Sequence, residues 1–225
     1  LIRSASDLID LLRKYPNQEI ASHTFSHYYC LEKGQTVDDF RSDIMAAINI
    51  ALVKGVAIKS LIFPRNQVNE DYLECIKELG ISSYRGNEKI WFYKPSNSQQ
   101  EHLFKRGLRF IDRYVSLSGN NCYDIQHKSV DMPYDFPSSR FLSPFSPRLR
   151  YLENLRFLRI KKSMTHAAVN NKIFHLWWHP HNFSNYQNEN FEFLTKILAH
   201  FKKLNCEFGF ESVSMSELAE RIEDN

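Results

Sequence analysis

Glu19-Ile20-Ala21-Ser22-His23-Thr24-Phe25-Ser26-His27 opens as a short apolar segment and ends on two histidines four residues apart. Neutral imidazole is the commonest protein ligand for a transition metal. This spacing lets both rings reach one ion when the backbone makes a single helical turn. Residues 18–22 therefore read as a buried strand that delivers the pair to a loop. Parallel α/β sheets and barrels build their sites at such strand ends.

Outward from this stretch, the pattern alternates. Upstream, Ser4 or Ser6 caps a first helix whose stripe is Leu8, Ile9, Leu11 and Leu12, and Pro16-Asn17 ends it. Downstream, Thr36 is the N-cap of a long helix with Asp39 as its acidic third residue. Phe40, Ile44, Ala47 and Ala51 give that helix one apolar face, and Gly55 closes it. Residues 59–63 read as a second strand, about 69–79 as a helix ended by Gly80, and 81–85 as a third strand. This rhythm predicts a parallel α/β architecture.

The second half is less regular. Residues 99–117 read as a basic helix. Residues 118–147, rich in Ser, Asn and Pro, read as a long ordered loop or lid inserted in a single 1–225 domain. Tyr134, Phe136, Phe141 and Phe145 argue that this insertion packs. Residues 148–170 predict a helix with Leu152, Leu155 and Leu158 inward. Its Arg148, Arg150, Arg156, Arg159, Lys161 and Lys162 are expected on a solvated face. Residues 173–179 form an aromatic-rich run suited to a buried strand, ended by Pro180. A helix at 188–204, a short strand at 206–210 and a last helix from Ser214 complete the pattern.

Composition narrows the function classes. The chain has 225 residues, 43% of them hydrophobic, enough for one cored domain. A net charge of +3 and a pI near 8.6 do not imply a nucleic-acid partner. No apolar run approaches the ~20 residues of a membrane span, and no signal peptide is read at the start. Cys30, Cys75, Cys122 and Cys206 lack C-x-x-C spacing, which excludes a zinc ribbon or thioredoxin motif. They read as reduced thiols, leaning to a cytoplasmic setting.

A second histidine cluster stands at His175, His179 and His181. His179, at a strand end, is best placed to face a site. His181 follows it in the loop, and His175 reads as a hydrogen-bonded core histidine. Arg65, after Pro64 at another strand end, either holds a carboxylate through two parallel bonds or makes a surface salt bridge. Arg85 reads the same way, with the salt bridge favoured. Trp177, Trp178, Tyr28 and Tyr29 offer rings for sugar stacking or for core packing.

Ser22-His23-Thr24-Phe25-Ser26-His27 resembles the His-Thr/Ser-x-x-His metal motif of the polysaccharide deacetylase family of carbohydrate esterases. Phe63-Pro64-Arg65-Asn66-Gln67 looks like that family's Arg/Pro motif with its order altered, and Leu176-Trp177-Trp178-His179 resembles its late Leu-x-His motif. The resemblance implies a distorted or incomplete (β/α) barrel of the seven-stranded type and a divalent metal, usually zinc. It implies hydrolysis of an N- or O-acetyl group from a glycan or oligosaccharide, with a metal-activated water as nucleophile. In that scheme His23 and His27 hold the metal, His179 is the general acid and Arg65 orients the aspartate base. Trp178, Tyr28 and His181 would contact the sugar. The family's Asp-Asp pair has no counterpart, because Asp7 and Asp10 lie in a helical pattern. Its Asp/Trp element is not clearly present either. The expectation is that the first one or two β/α units lie outside this chain. The alternative is an inactive glycan- or metal-binding relative.

Overall fold

The computed structural model describes residues 5–94, 103–126 and 131–224. Among these, the order is α1 (Ala5–Leu12), α2 (Val37–Val53), β1 (Ser60–Ile62), α3 (Leu73–Glu78), β2 (Ser83–Arg85), α4 (Leu103–Asp112), β3 (Tyr134–Asp135), β4 (Arg140–Phe141), α5 (Glu153–Val169), β5 (Leu176–Trp177), α6 (Gln187–Phe208) and α7 (Met215–Asp224). Ser4 and residues 99–102, on which sequence expectations fell, lie outside the described residues. The chain divides into two compact units. One comprises Leu1–Gly86, Gln126–Phe136 and Ser212–Asn225, the other Asn87–Ile125 and Pro137–Glu211.

In the first unit, α2 begins where its signals place it. The Thr36 hydroxyl accepts the backbone N–H of Asp39 at 3.2 Å, satisfying one of the helix's orphan donors. Thr36→Ala is expected to cost about 1 kcal/mol, read as a lower urea midpoint at unchanged slope. Phe40 and Ile44 turn inward and are fully buried. Phe40 stacks on Phe63 at 6.0 Å and meets Tyr72 at 4.9 Å, joining α2 to the segment after β1. Leu61, Ile76, Ile81 and Tyr84 complete this core. By contrast, Leu8, Leu11 and Leu12 of α1 are each more than a third exposed.

β1, β2 and β3 form a parallel sheet in that order. The parallel pairing follows the expected rhythm, but the seven-stranded barrel does not form. Among the described residues, strands are two or three residues long, in one three-stranded and one two-stranded parallel sheet, and no ladder closes them. Barrel closure needs every strand paired on both sides over a staggered length. The predicted strand 18–22 shrinks to one bridge between Ser22 and Leu61. Glu19 explains part of this: its carboxylate accepts from the Ser60 hydroxyl at 2.5 Å and from the Ser216 N–H at 3.1 Å. Side-chain bonds anchor the segment there in place of a ladder.

In the second unit, β4 pairs with β5 in parallel, and α5 packs on α6. Thus β3 and β4 both come from the stretch expected as a loop. The strand expected at 206–210 is absent. α6 continues to Phe208 and stops at Gly209, whose φ of 65° is the left-handed helix cap that glycine adopts without strain. The expected face of α5 is also inverted. Arg156 and Arg159 are buried with Ile160, Met164 and Ala167, whereas Leu155 and Leu158 are about half exposed. The guanidinium of Arg156 lies 3.8 Å over the Phe193 ring and bonds Glu153 and the Ser143 carbonyl. Stacking and carbonyl acceptors are what make a buried arginine tolerable. All four cysteines are free.

Candidate functional site

Ser22 is held on β1 by two bonds, Ser22 N–H to Ser60 O at 3.1 Å and Ile62 N–H to Ser22 O at 2.9 Å. The chain then leaves the sheet. Thr24 and His27 both take φ near 60°, a left-handed conformation that is uncommon for such residues. Such strain persists where neighbours over-determine it. Here Asp43 on α2 does so: its two oxygens accept the N–H groups of Phe25 at 2.7 Å and Ser26 at 2.9 Å. The Thr24 hydroxyl accepts the Tyr28 N–H at 2.8 Å.

The outcome is convergence. The Nε2 atoms of His23 and His27 stand 3.1 Å apart. His23 Nδ1 lies 2.7 Å from the Ile62 carbonyl, which can only accept, so that nitrogen carries the proton. The neutral ring then has its lone pair on Nε2, facing His27. His27 Nδ1 lies 3.1 Å from the Tyr29 hydroxyl, and the Arg65 guanidinium sits 4.4 Å over the Tyr29 ring. A ligating histidine characteristically has its second ring nitrogen held by such a partner.

Arg65 thus belongs to this cluster, its guanidinium seated on an aromatic face. Arg65 and Asn66 also have positive φ, 52° and 56°. The Asn66 side-chain oxygen accepts from Arg85 at 2.6 Å. Arg85 is 7% exposed, so this bond is buried, whereas the sequence pattern places the side chain at the surface. Tyr28 packs 5.6 Å from Phe40, and its hydroxyl donates to the Thr36 carbonyl at 2.9 Å. Burial raises that hydroxyl's pKa above its ordinary value.

His179, His181 and Trp178 lie in the other unit. His179 is two residues past β5, and its N–H donates to Asn182 Oδ1 at 3.3 Å as Pro180–Phe183 turns into a 3₁₀ helix. The His179 ring stacks on His181 at 5.0 Å and meets Trp177 edge-on at 5.4 Å. Trp178 is 40% exposed and lies 6.2 Å from Phe183. The backbone of His175 is tied to Ser139, its N–H donating to the hydroxyl at 2.9 Å. A shallow groove of about 470 Å³ in this unit is lined by Lys161, Lys162 and His166 and contains none of these residues.

Sequence reading passed over Asp43 and saw in Tyr29 only a ring, for sugar stacking or for core packing. The signal for Asp43 is its place on the helix after the loop. Nothing local marks a residue seventeen positions away as the acceptor for Ser26.

The pair fits half of a divalent-metal site: two imidazoles with converging nitrogens, the tautomer of His23 held by the Ile62 carbonyl. Among the described residues, no group of three or more His, Cys, Asp or Glu is placed to hold an ion. No family model matches this chain, and no curated protein matches it.

Proposed function

We propose that this chain carries the metal-binding half of a divalent-metal hydrolase that removes acetyl groups from a glycan. The observation that carries the reading is the 3.1 Å approach of the His23 and His27 Nε2 atoms, with His23 Nδ1 committed to a carbonyl. Imidazole donors suit zinc. When bound, a zinc ion supplies Lewis acidity and lets water attack at neutral pH. His23 and His27 would hold it through their Nε2 atoms, His23 with its proton already on Nδ1 and His27 after moving its proton to Nδ1, where the Tyr29 hydroxyl can accept it. Tyr29, braced by Arg65, fixes the far nitrogen of His27. The resemblance of Leu176-Trp177-Trp178-His179 to the deacetylase motif, and that alone, implies that His179 gives a proton to the leaving amine or alkoxide. Trp178 and His181 present exposed rings for a sugar face.

One observation favours a second reading, an inactive glycan- or metal-binding relative. The described residues supply two histidines and no third ligand, while catalytic zinc usually has three protein ligands. Acetate release separates the two readings. The chain, loaded with zinc, is incubated with N-acetylated chito-oligosaccharide and with O-acetylated xylan. Acetate from either, lost on chelation and restored by zinc, is the expected result. His179→Ala should lower turnover about a hundredfold with zinc retained. If His181→Ala has that effect instead, the proton donor is His181. Zinc bound with no acetate from either substrate leaves the binding reading.

A further inference from the structure

In α4 the order Leu103-Phe104-Lys105-Arg106-Gly107-Leu108-Arg109-Phe110-Ile111-Asp112 sorts residues cleanly by side. At the helical repeat, Leu103, Phe104, Phe110 and Ile111 share one face, and Lys105, Arg109 and Asp112 the other. A surface helix normally turns its apolar face inward. This one does the reverse. Leu103 is 80% exposed, Phe104 68%, Phe110 42% and Ile111 46%, while Asp112 is 0% exposed.

The rotation is pinned by polar bonds. The Asp112 carboxylate accepts the N–H groups of Leu117 at 2.9 Å and Ser118 at 2.8 Å, the Ser118 hydroxyl at 2.6 Å, the Tyr93 hydroxyl at 3.1 Å and Arg140 Nη1 at 2.6 Å. Arg109 donates to the Phe92 carbonyl at 3.3 Å. Turning the apolar face inward would strip these partners from a buried charge. Its outward presentation is therefore built into the unit.

Two further features say what would cover it. Trp91, 53% exposed, stacks on Phe104 at 6.4 Å and extends the face with an indole. Lys89, Lys94 and Arg106 are exposed nearby in sequence. The carboxylates of the described segments 87–94 and 103–117 are Glu88 and Asp112, both buried. The exposed formal charge of these segments is wholly positive. An apolar face rich in Phe and Leu beside lysine and arginine is the composition of a helix that lies in the surface of an anionic bilayer. Tryptophan is enriched at that depth. No helix among the described residues is long and apolar enough to cross a membrane. A second copy of the chain would bring the same cations and be repelled.

We propose that α4 and Trp91 dock on anionic lipid bilayers, the apolar face entering the headgroup boundary and the basic residues meeting lipid phosphates. The test is co-sedimentation of the chain with vesicles of phosphatidylcholine, with and without phosphatidylglycerol, at low and high salt. Binding to the anionic vesicles, weakened by salt, is expected. Leu103→Ser/Phe104→Ser should lower the partition coefficient about tenfold or more, because both side chains then bury no apolar area in lipid. Both positions are exposed, and circular dichroism verifies that the variant folds. Arg106→Glu should weaken binding to anionic vesicles, and Trp91→Phe should remove a blue shift of emission seen on binding. No sedimentation with anionic vesicles at low salt overturns the proposal, as does equal binding by the double variant. A lipid-free dimer abolished by Phe104→Ser also overturns it, in favour of self-association.

Discussion

Zinc affinity is expected to fall more than about a hundredfold in His27→Ala, beyond the loss that removal of a merely supporting residue causes. Two protein nitrogens converge on the candidate position, and this substitution removes one of them. His27 is exposed, so little packing is lost with it. It also holds a φ of 60°, which alanine tolerates poorly. His27→Asn is the matched control, since asparagine accepts left-handed backbone at lower cost. Both variants should lose zinc by titration calorimetry and by elemental analysis. Tyr29→Phe keeps both imidazoles and removes only the hydroxyl 3.1 Å from Nδ1, so its loss should be nearer tenfold. His23→Ala should match His27→Ala. Unchanged zinc stoichiometry in both histidine variants would sink the site assignment, whatever the activity.

How far the sequence foretold this structure depends on the kind of force at each position. Local signals survived. Thr36 caps α2 because its hydroxyl sits one turn from the N–H of Asp39, a bond encoded within four residues. The parallel order of β1 and β2 follows from a helix-length spacer between two apolar runs. The pairing of His23 with His27 was legible because one loop carries both rings, but the single helical turn expected to bring them together is replaced by left-handed Thr24 and His27. Features set by distant partners were not. Arg156 and Arg159 read as solvated charges, yet Phe193 and the Gly119 carbonyl, far along the chain, make their burial tolerable. The stripe Ile160, Met164 and Ala167 points to the same side of α5, and the arginines masked it. The barrel failed for a related reason. Closure is a property of the whole sheet, and the Ser22 segment settled for side-chain anchoring by Glu19. β3 and β4 were invisible because two-residue strands have no period to detect.

Asp112 is the costliest of these distant contacts to remove. Its side chain is 0% exposed, that of Arg140 6% and that of Arg159 3%, with nitrogens at 2.6 Å and 3.5 Å from the carboxylate. Asp112→Ala would leave two buried guanidinium groups leaning on the Gly119 carbonyl and the hydroxyls of Ser118 and Ser163. Breaking a buried ion pair from one side typically costs about 3–5 kcal/mol, because the remaining charge keeps its desolvation penalty. That loss is expected in urea unfolding followed by the fluorescence of Trp177 and Trp178, which belong to the same unit. Asp112→Asn keeps the shape and an acceptor and should cost less. Asp112→Leu/Arg140→Met/Arg159→Leu removes all three charges together, and it should recover much of the stability lost in Asp112→Ala. A loss below about 1 kcal/mol in Asp112→Ala would mean that water reaches the cluster and screens it as it does a surface pair. The same substitution releases the bonds that fix the rotation of α4. Weaker vesicle binding by a folded Asp112→Asn chain would therefore tie the buried charge to the exposed apolar face.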